Sequence, residues 1–111
     1  MNSAAATAFK FDFDVNEMAD SAQVATDFLK SIAHEGRLMI LCRLAEGDCS
    51  VTELERLLSA RQAAVSQQLA RLRIEGLVRA RREGKAVYYS LADERVKTII
   101  PVLYDMFCKK D

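Results

Sequence analysis

The 111-residue chain has no net charge, one histidine, one proline and an odd number of cysteines. Each scarcity closes off a class of function. Sixteen basic and sixteen acidic residues leave no overall basic footprint of the kind that attracts nucleic acid. The longest uninterrupted apolar run, Leu38 to Cys42, falls far short of the roughly 20 residues that cross a bilayer. The first residues carry neither the basic nor the apolar region of a secretory signal. Three cysteines without a CxxC spacing argue against both a disulfide scaffold and a zinc knuckle. There is no glycine-rich phosphate loop, no dinucleotide fingerprint, and no cysteine spaced from a resolving partner or a histidine base as in a thiol enzyme. Repeats, low-complexity segments and linkers are absent too. With half its residues hydrophobic, the chain is expected to be one packed cytoplasmic domain, not an enzyme and not membrane-bound. A domain this small buries a modest share of its surface, so dimerisation would suit it.

The zero charge conceals a separation. Residues 1–55 carry four basic and ten acidic side chains, a net of −6, whereas residues 56–85 carry eight basic and two acidic, a net of +6. The last 26 residues balance at four of each. The middle of the chain is therefore a concentrated anion-binding stretch, unless its arginines simply solvate a helix face.

Hydrophobic spacing separates these readings. In residues 1–16, Phe9, Phe11 and Phe13 alternate with Lys10 and Asp12, the period of a strand. One isolated strand is not stable, so this segment reads as an N-terminal arm, either mobile or packed on a dimer. Residues 17–111 form the folded domain. Met18, Ala22, Ala25, Phe28, Leu29 and Ile32 make a helical stripe from Glu17 to about Ala33. A second, nearly all-apolar helix begins near Glu35 and is closed by Gly47. Ser50-Val51-Thr52-Glu53 is a capping box opening a short third helix with Leu54, Leu57 and Leu58. The fourth helix starts at Arg61 or Gln62, buries Val65, Leu69 and Leu72, and stops at Gly76. Leu77 to Arg82 and Ala86 to Leu91 form a hairpin turned by Glu83-Gly84-Lys85. Asp93 caps a fifth helix carrying Val96, Ile99, Ile100, Leu103, Tyr104 and Phe107, in which Pro101 implies a kink or a late start. Five helices plus a two-stranded antiparallel hairpin, mainly α with a β-hairpin wing, is the order of a winged helix-turn-helix.

In that arrangement the second helix of the helix-turn-helix enters the DNA major groove. Its outer face offers Gln62, Ala63, Ser66, Gln67 and Arg71. Glutamine pairs bidentately with adenine, arginine with guanine, and serine bonds to bases or phosphates. Arg81, Arg82 and Lys85 give the wing a basic tip suited to phosphates or the minor groove. Arg56, Arg61 and Arg73 add backbone neutralisation. Gln67 and Gln68 taken singly are also ordinary exposed helix formers. The agreement of polar face, cap, wing and charge block points to double-stranded DNA.

The stretch Ala63-Ala64-Val65-Ser66-Gln67-Gln68-Leu69-Ala70-Arg71-Leu72-Arg73, followed by Glu75-Gly76-Leu77-Val78, resembles the recognition helix of the ArsR-type winged-helix repressors. Arg82-Glu83-Gly84-Lys85 through Val87-Tyr88-Tyr89-Ser90-Leu91 is similar to their wing. The resemblance spans about Met18 to Cys108. It implies a homodimer built chiefly from the first and last helices, bound to a two-fold operator and released by an inducer. Arg61 departs from the pattern, since many relatives cap the fourth helix with serine there.

Many such repressors sense metals, but the positions of an arsenic site on the third helix fall at Ser50 and Thr52, and the last helix has no histidine. His34, at a helix junction, reads as structural. No metal and no cofactor are expected. Cys42, after Leu38-Met39-Ile40-Leu41, and Cys108, after Leu103-Tyr104-Asp105-Met106-Phe107, read from composition as ordinary core-side packing. They also resemble the dithiol of the SqrR/BigR group of sulfide- and persulfide-responsive repressors. That resemblance implies a bridge closed by reactive sulfur species as inducer. A direct disulfide needs Cα atoms within roughly 7 Å, and inserted sulfur atoms would span a wider gap. The alternative is a trivalent arsenic or general oxidant sensor using Cys42, Cys108 and possibly Cys49, which is expected to be exposed just before the capping box. The Phe9–Phe13 arm would either recruit a partner or pad the dimer.

Overall fold

The computed structural model describes Asp12, residues 14–58 and residues 62–109, the Gln62 side chain excepted. Phe9, Phe11, Phe13 and Arg61 lie outside the described residues.

Five helices and three strands follow one another among the described residues. Helix α1 (Val15–Ile32) starts two residues before the apolar stripe begins, because the Asp14 carboxylate accepts the Glu17 amide at 2.8 Å and caps the helix there. Helix α2 (Glu35–Leu44) is capped by His34, whose Nδ1 accepts the amides of Gly36 and Arg37. This is the structural role expected of the single histidine. Gly47, at φ 147°, turns the chain out of α2 into a short strand, β1 (Cys49–Ser50), and then into α3 (Val51–Leu58). After α4 (Gln62–Ile74), Gly76 at φ 78° leads into β2 (Val78–Glu83) and β3 (Ala86–Leu91). Gly84, at φ 63°, takes the first central position of the tight turn between them, a conformation that glycine adopts without steric cost. Asp93 caps α5 (Glu94–Phe107) by accepting the Arg95 amide at 2.7 Å. Pro101 sits within α5 and does not delay its start, which is at Glu94.

Strand β1 escaped the sequence, since two residues carry no periodicity. It pairs antiparallel with β3, Cys49 opposite Tyr89 and Ser50 opposite Tyr88, and makes the hairpin a three-stranded sheet in the order β1-β3-β2. The pairing corrects the expectation for Cys49. Its side chain is fully buried among Leu44, Leu54 and the rest of the core, because the strand turns it onto the inner face of the sheet.

The core is drawn largely from the residues foreseen from spacing, but Leu57, expected with Leu54 and Leu58, is exposed, and Cys49, expected outside, is part of it. Ile40, Leu41 and Leu44 of α2, Leu54 of α3, Val65, Leu69 and Leu72 of α4, and Val96 and Ile100 of α5 converge with Leu77, Val78 and Leu91. Each fully buried aliphatic side chain contributes about 1.5–3 kcal/mol relative to exposure. Helix α2 is central, touching α3, α4, α5 and the sheet. Helix α1 differs. Phe28 and Ile32 join the core, and the Arg95 guanidinium lies 4.4 Å from the Phe28 ring centroid, yet Val15, Met18, Val24 and Leu29 are exposed. Helix α5 likewise exposes Val102, Tyr104, Met106 and Phe107.

Candidate nucleic-acid interface and thiol cleft

Helices α3 and α4 are set by two devices legible in the residues. The capping box closes as expected: the Ser50 hydroxyl accepts the Glu53 amide at 3.2 Å, and the Ser50 amide donates to Glu53 Oε1 at 2.9 Å. Hydrogen bonding from the Ser50 amide, and then from the Ser50 side chain, holds the Glu53 carboxyl below its ordinary range. Burial of Val65, Leu69 and Leu72 then fixes the rotation of α4, leaving Ala63, Ser66, Gln67, Ala70 and Arg71 outward. Gln62 is the first residue of α4. Gln68 is half-buried, and its Oε1 accepts the Arg37 Nε–H at 3.1 Å, so it anchors α4 on the start of α2.

The fold brings part of the expected set together. Ser66 of α4 and Lys85 of the wing turn line one cleft of about 410 Å³ with Ser50, Val51 and Thr52 at the start of α3. The opening turn of a helix, a lysine and hydroxyl groups form a surroundings suited to phosphate. Arg82 and Lys85 are exposed. Arg71 lies elsewhere. It pairs with Glu75 at 2.8 Å and borders a different cleft, beside Val24 and Asp27 of α1. Arg81 is engaged within the protein: its guanidinium pairs with Asp48, donates to Glu83 at 2.8 Å and lies 5.2 Å from the Tyr88 ring centroid. Residue order alone gave no sign of the Asp48 contact, which spans 33 positions.

At the opposite end of α2, Cys42 is half-buried and lines a cleft of about 440 Å³ with Arg43, Glu46, Ile100, Pro101 and Tyr104. Cys108 is exposed at the C-terminal cap of α5, which corrects the expectation that both thiols face the core: α5 ends beyond the buried Ile100, and its last turn is exposed among the described residues. Both thiols are free. Burial pushes the Cys42 thiol up, and the charge of Cys108 raises it further. Burial likewise raises Cys49, with Arg43 opposing. Among the described residues no group of three His, Cys, Asp or Glu side chains gathers as a metal site, and no helix is long and apolar enough to cross a membrane.

A helix-turn-helix carrying an exposed polar recognition helix and a basic wing is the fold of a winged-helix, DNA-binding transcriptional regulator. Residues 34–80 match the model of the bacterial regulatory proteins of the arsR family. The biofilm growth-associated repressor of Agrobacterium fabrum is 49% identical over 80 residues, which are 72% of this chain and 68% of that protein. The reduced form of HlyU from Vibrio cholerae superposes with a TM-score of 0.82 at 41% identity, covering 86% of this chain and all of that one. The repressor BigR from Xylella fastidiosa gives 0.79 at 36% identity over 88% of this chain and all of that one. The chain belongs to the ArsR family, and it is a DNA-binding regulator, not an enzyme.

Proposed function

We propose that this protein is a homodimeric transcriptional repressor that binds a two-fold operator and leaves it when reactive sulfur species bridge Cys42 and Cys108. The observation that carries the reading is the pair of free thiols on two packed helices: Cys42 shares its cleft with Tyr104 of α5, whose carbonyl accepts the Cys108 amide at 2.8 Å. Repression follows the Agrobacterium relative in preference to the Vibrio cholerae relative, 41% identical and described as a transcriptional activator, because the former is more similar in sequence.

The chemistry balances with two equivalents of a low-molecular-weight persulfide, RSSH. The exposed Cys108 thiolate attacks the terminal sulfur, giving a Cys108 persulfide and RSH. That persulfide attacks the inner sulfur of a second RSSH, forming a mixed trisulfide to R and expelling hydrogen sulfide. Cys42 attacks the middle sulfur, RSH leaves, and a trisulfide joins the two helices. The second persulfide is the oxidant, its terminal sulfur departing as sulfide.

A second copy suits the exposed apolar residues of α1 and α5, which flank a groove of about 750 Å³ lined by Val24, Ala25, Phe28 and Ile99. The operator contacts fall to Gln62, Ala63, Ser66, Gln67, Arg71 and Arg61 of the α4 region with Arg82 and Lys85 of the wing. Clamping α5 against α2 then alters the spacing of the two recognition helices, and a differential of about 1–3 kcal/mol changes affinity roughly 5–150-fold. The buried, strand-held Cys49 does not favour a three-thiolate arsenic site.

Tryptic mapping of the reduced protein after exposure to a glutathione persulfide donor tests the reading. A Cys42–Cys108 cross-link carrying added sulfur, with loss of operator binding, is the expected result. A cross-link formed equally by peroxide would replace the persulfide sensor with a general oxidant sensor. No cross-link with either reagent, and one formed only by trivalent arsenic, would overturn it.

A further inference from the structure

Arg81 and Arg82 are neighbours on β2, and the register of the sheet sends them to opposite faces. Arg81 stands opposite Tyr88, and Arg82 opposite Val87. Side chains of directly paired residues lie on one face of a sheet, and alternate residues of a strand share it. Arg82 therefore shares a face with Val78, Ala80, Val87 and Tyr89, and Val87 lines the same cleft as Ser66 and Lys85. Arg81 lies on the reverse face with Arg79 and Glu83.

The Arg81 guanidinium has three partners within the protein, with its side chain 47% exposed. Two carboxylates, Asp48 and Glu83, bracket it, and the Tyr88 ring covers it. Asp48 and Glu83 thus already answer the one charge Arg81 could offer a phosphate, in a cleft that Glu46, Arg79 and Lys97 also line. Asp48 is the residue at which the chain leaves the glycine turn after α2, and the carbonyl of Gly47 accepts a hydrogen bond from Arg43 at 3.3 Å.

We infer that Arg81 is a positioning residue that mounts the wing on Asp48, at the exit of α2, while the wing meets DNA through Arg82 and Lys85. The inference rests on the DNA-binding reading above and divides its basic residues by task. A phosphate contact contributes to the salt dependence of binding, about 0.9 per contact in the slope of log K against log salt, whereas an internal ion pair contributes nothing to it.

The test uses the full chain and an operator duplex selected by the wild-type protein from a random library, titrated between 50 and 200 mM salt. Arg81→Gln and Asp48→Asn, which remove the charge and keep a polar side chain, are expected to weaken binding alike, by about three- to tenfold, with an unchanged slope. Combined, they should cost no more than either alone. Arg82→Gln and Lys85→Gln should each flatten the slope by roughly 1.8, one contact on each of two wings. The charge swap Asp48→Arg with Arg81→Asp, made together with Glu83→Gln so that the new carboxylate meets no like charge, should bind within about twofold of Glu83→Gln alone, because the ion pair is restored in reverse. Flattening by Arg81→Gln, or a swap that binds worse than Arg81→Gln made together with Glu83→Gln, would overturn the inference and return Arg81 to the DNA contacts. A wild-type protein that selects no duplex would overturn the DNA-binding reading itself and the inference with it.

Discussion

Ser50 and Glu53 exchange two hydrogen bonds, each amide donating to the other's side chain, at 2.9 and 3.2 Å. The pair fixes where α3 begins, and it does so on the strand residue that also joins β3. Ser50→Ala removes the hydroxyl acceptor and leaves the Glu53 amide unpaired. The expected cost is about 1 kcal/mol, and the melting temperature, measured by circular dichroism, should fall by about 4–8 °C.

Acid should weaken the fold through two carboxylates. Hydrogen bonds from Ser50 hold Glu53 low, and those from Arg95 hold Asp93 low. A carboxyl group depressed in the folded state stabilises it above its unfolded pKa and loses that contribution as pH falls through the folded value. Melting temperature should therefore decline below the ordinary carboxylate range. Glu53→Gln and Asp93→Asn should flatten the decline in an acid titration followed by circular dichroism.

Cys42 and Cys108 should differ in reactivity. Burial, and then the charge of Cys108, raise Cys42, so at neutral pH its thiolate is scarce. Iodoacetamide should label the exposed Cys108 faster, as read by peptide mass. In Cys108→Ser the Cys42 labelling curve should move to lower pH while staying above that of an ordinary thiol, since burial is the larger cause. A thiol raised in the folded state stabilises the fold below its unfolded pKa, and that contribution is lost as pH rises through the raised value.

Cys49 should behave as a protected thiol. It is fully buried on β1. Titration of the native protein with a chromogenic disulfide reagent should consume Cys108 first, Cys42 more slowly, and the third thiol only in denaturant.

Most of the fold was legible because the elements are long and periodic. Three leucine- or valine-bearing turns of α4, a capping box with its glutamate three residues on, and two glycines ending helices each state their structure locally. The pieces that were not legible depend on distant partners. Strand β1 exists because β3 lies beside it, and that pairing alone buries Cys49, which chain position had placed in solvent. The surroundings of Arg81 were hidden for the same reason, since Asp48 belongs to another part of the chain. The start of α1 was missed by two residues because the Asp14 cap precedes the apolar stripe. The seam joining Cys42 to the end of α5 came from family resemblance, as nothing local relates residues 66 positions apart.

The sheet order β1-β3-β2 has a consequence for how the protein behaves at high concentration. It leaves β2 as an outer strand, with hydrogen-bonding groups unclaimed along one side. Such a border templates the addition of foreign strands and, from there, fibrillar association. Here that border carries Arg79, Arg81, Arg82 and Glu83, all exposed. A second wing approaching edge to edge would bring Arg79 and Arg82 against like charges, so these two arginines also guard the protein against self-association.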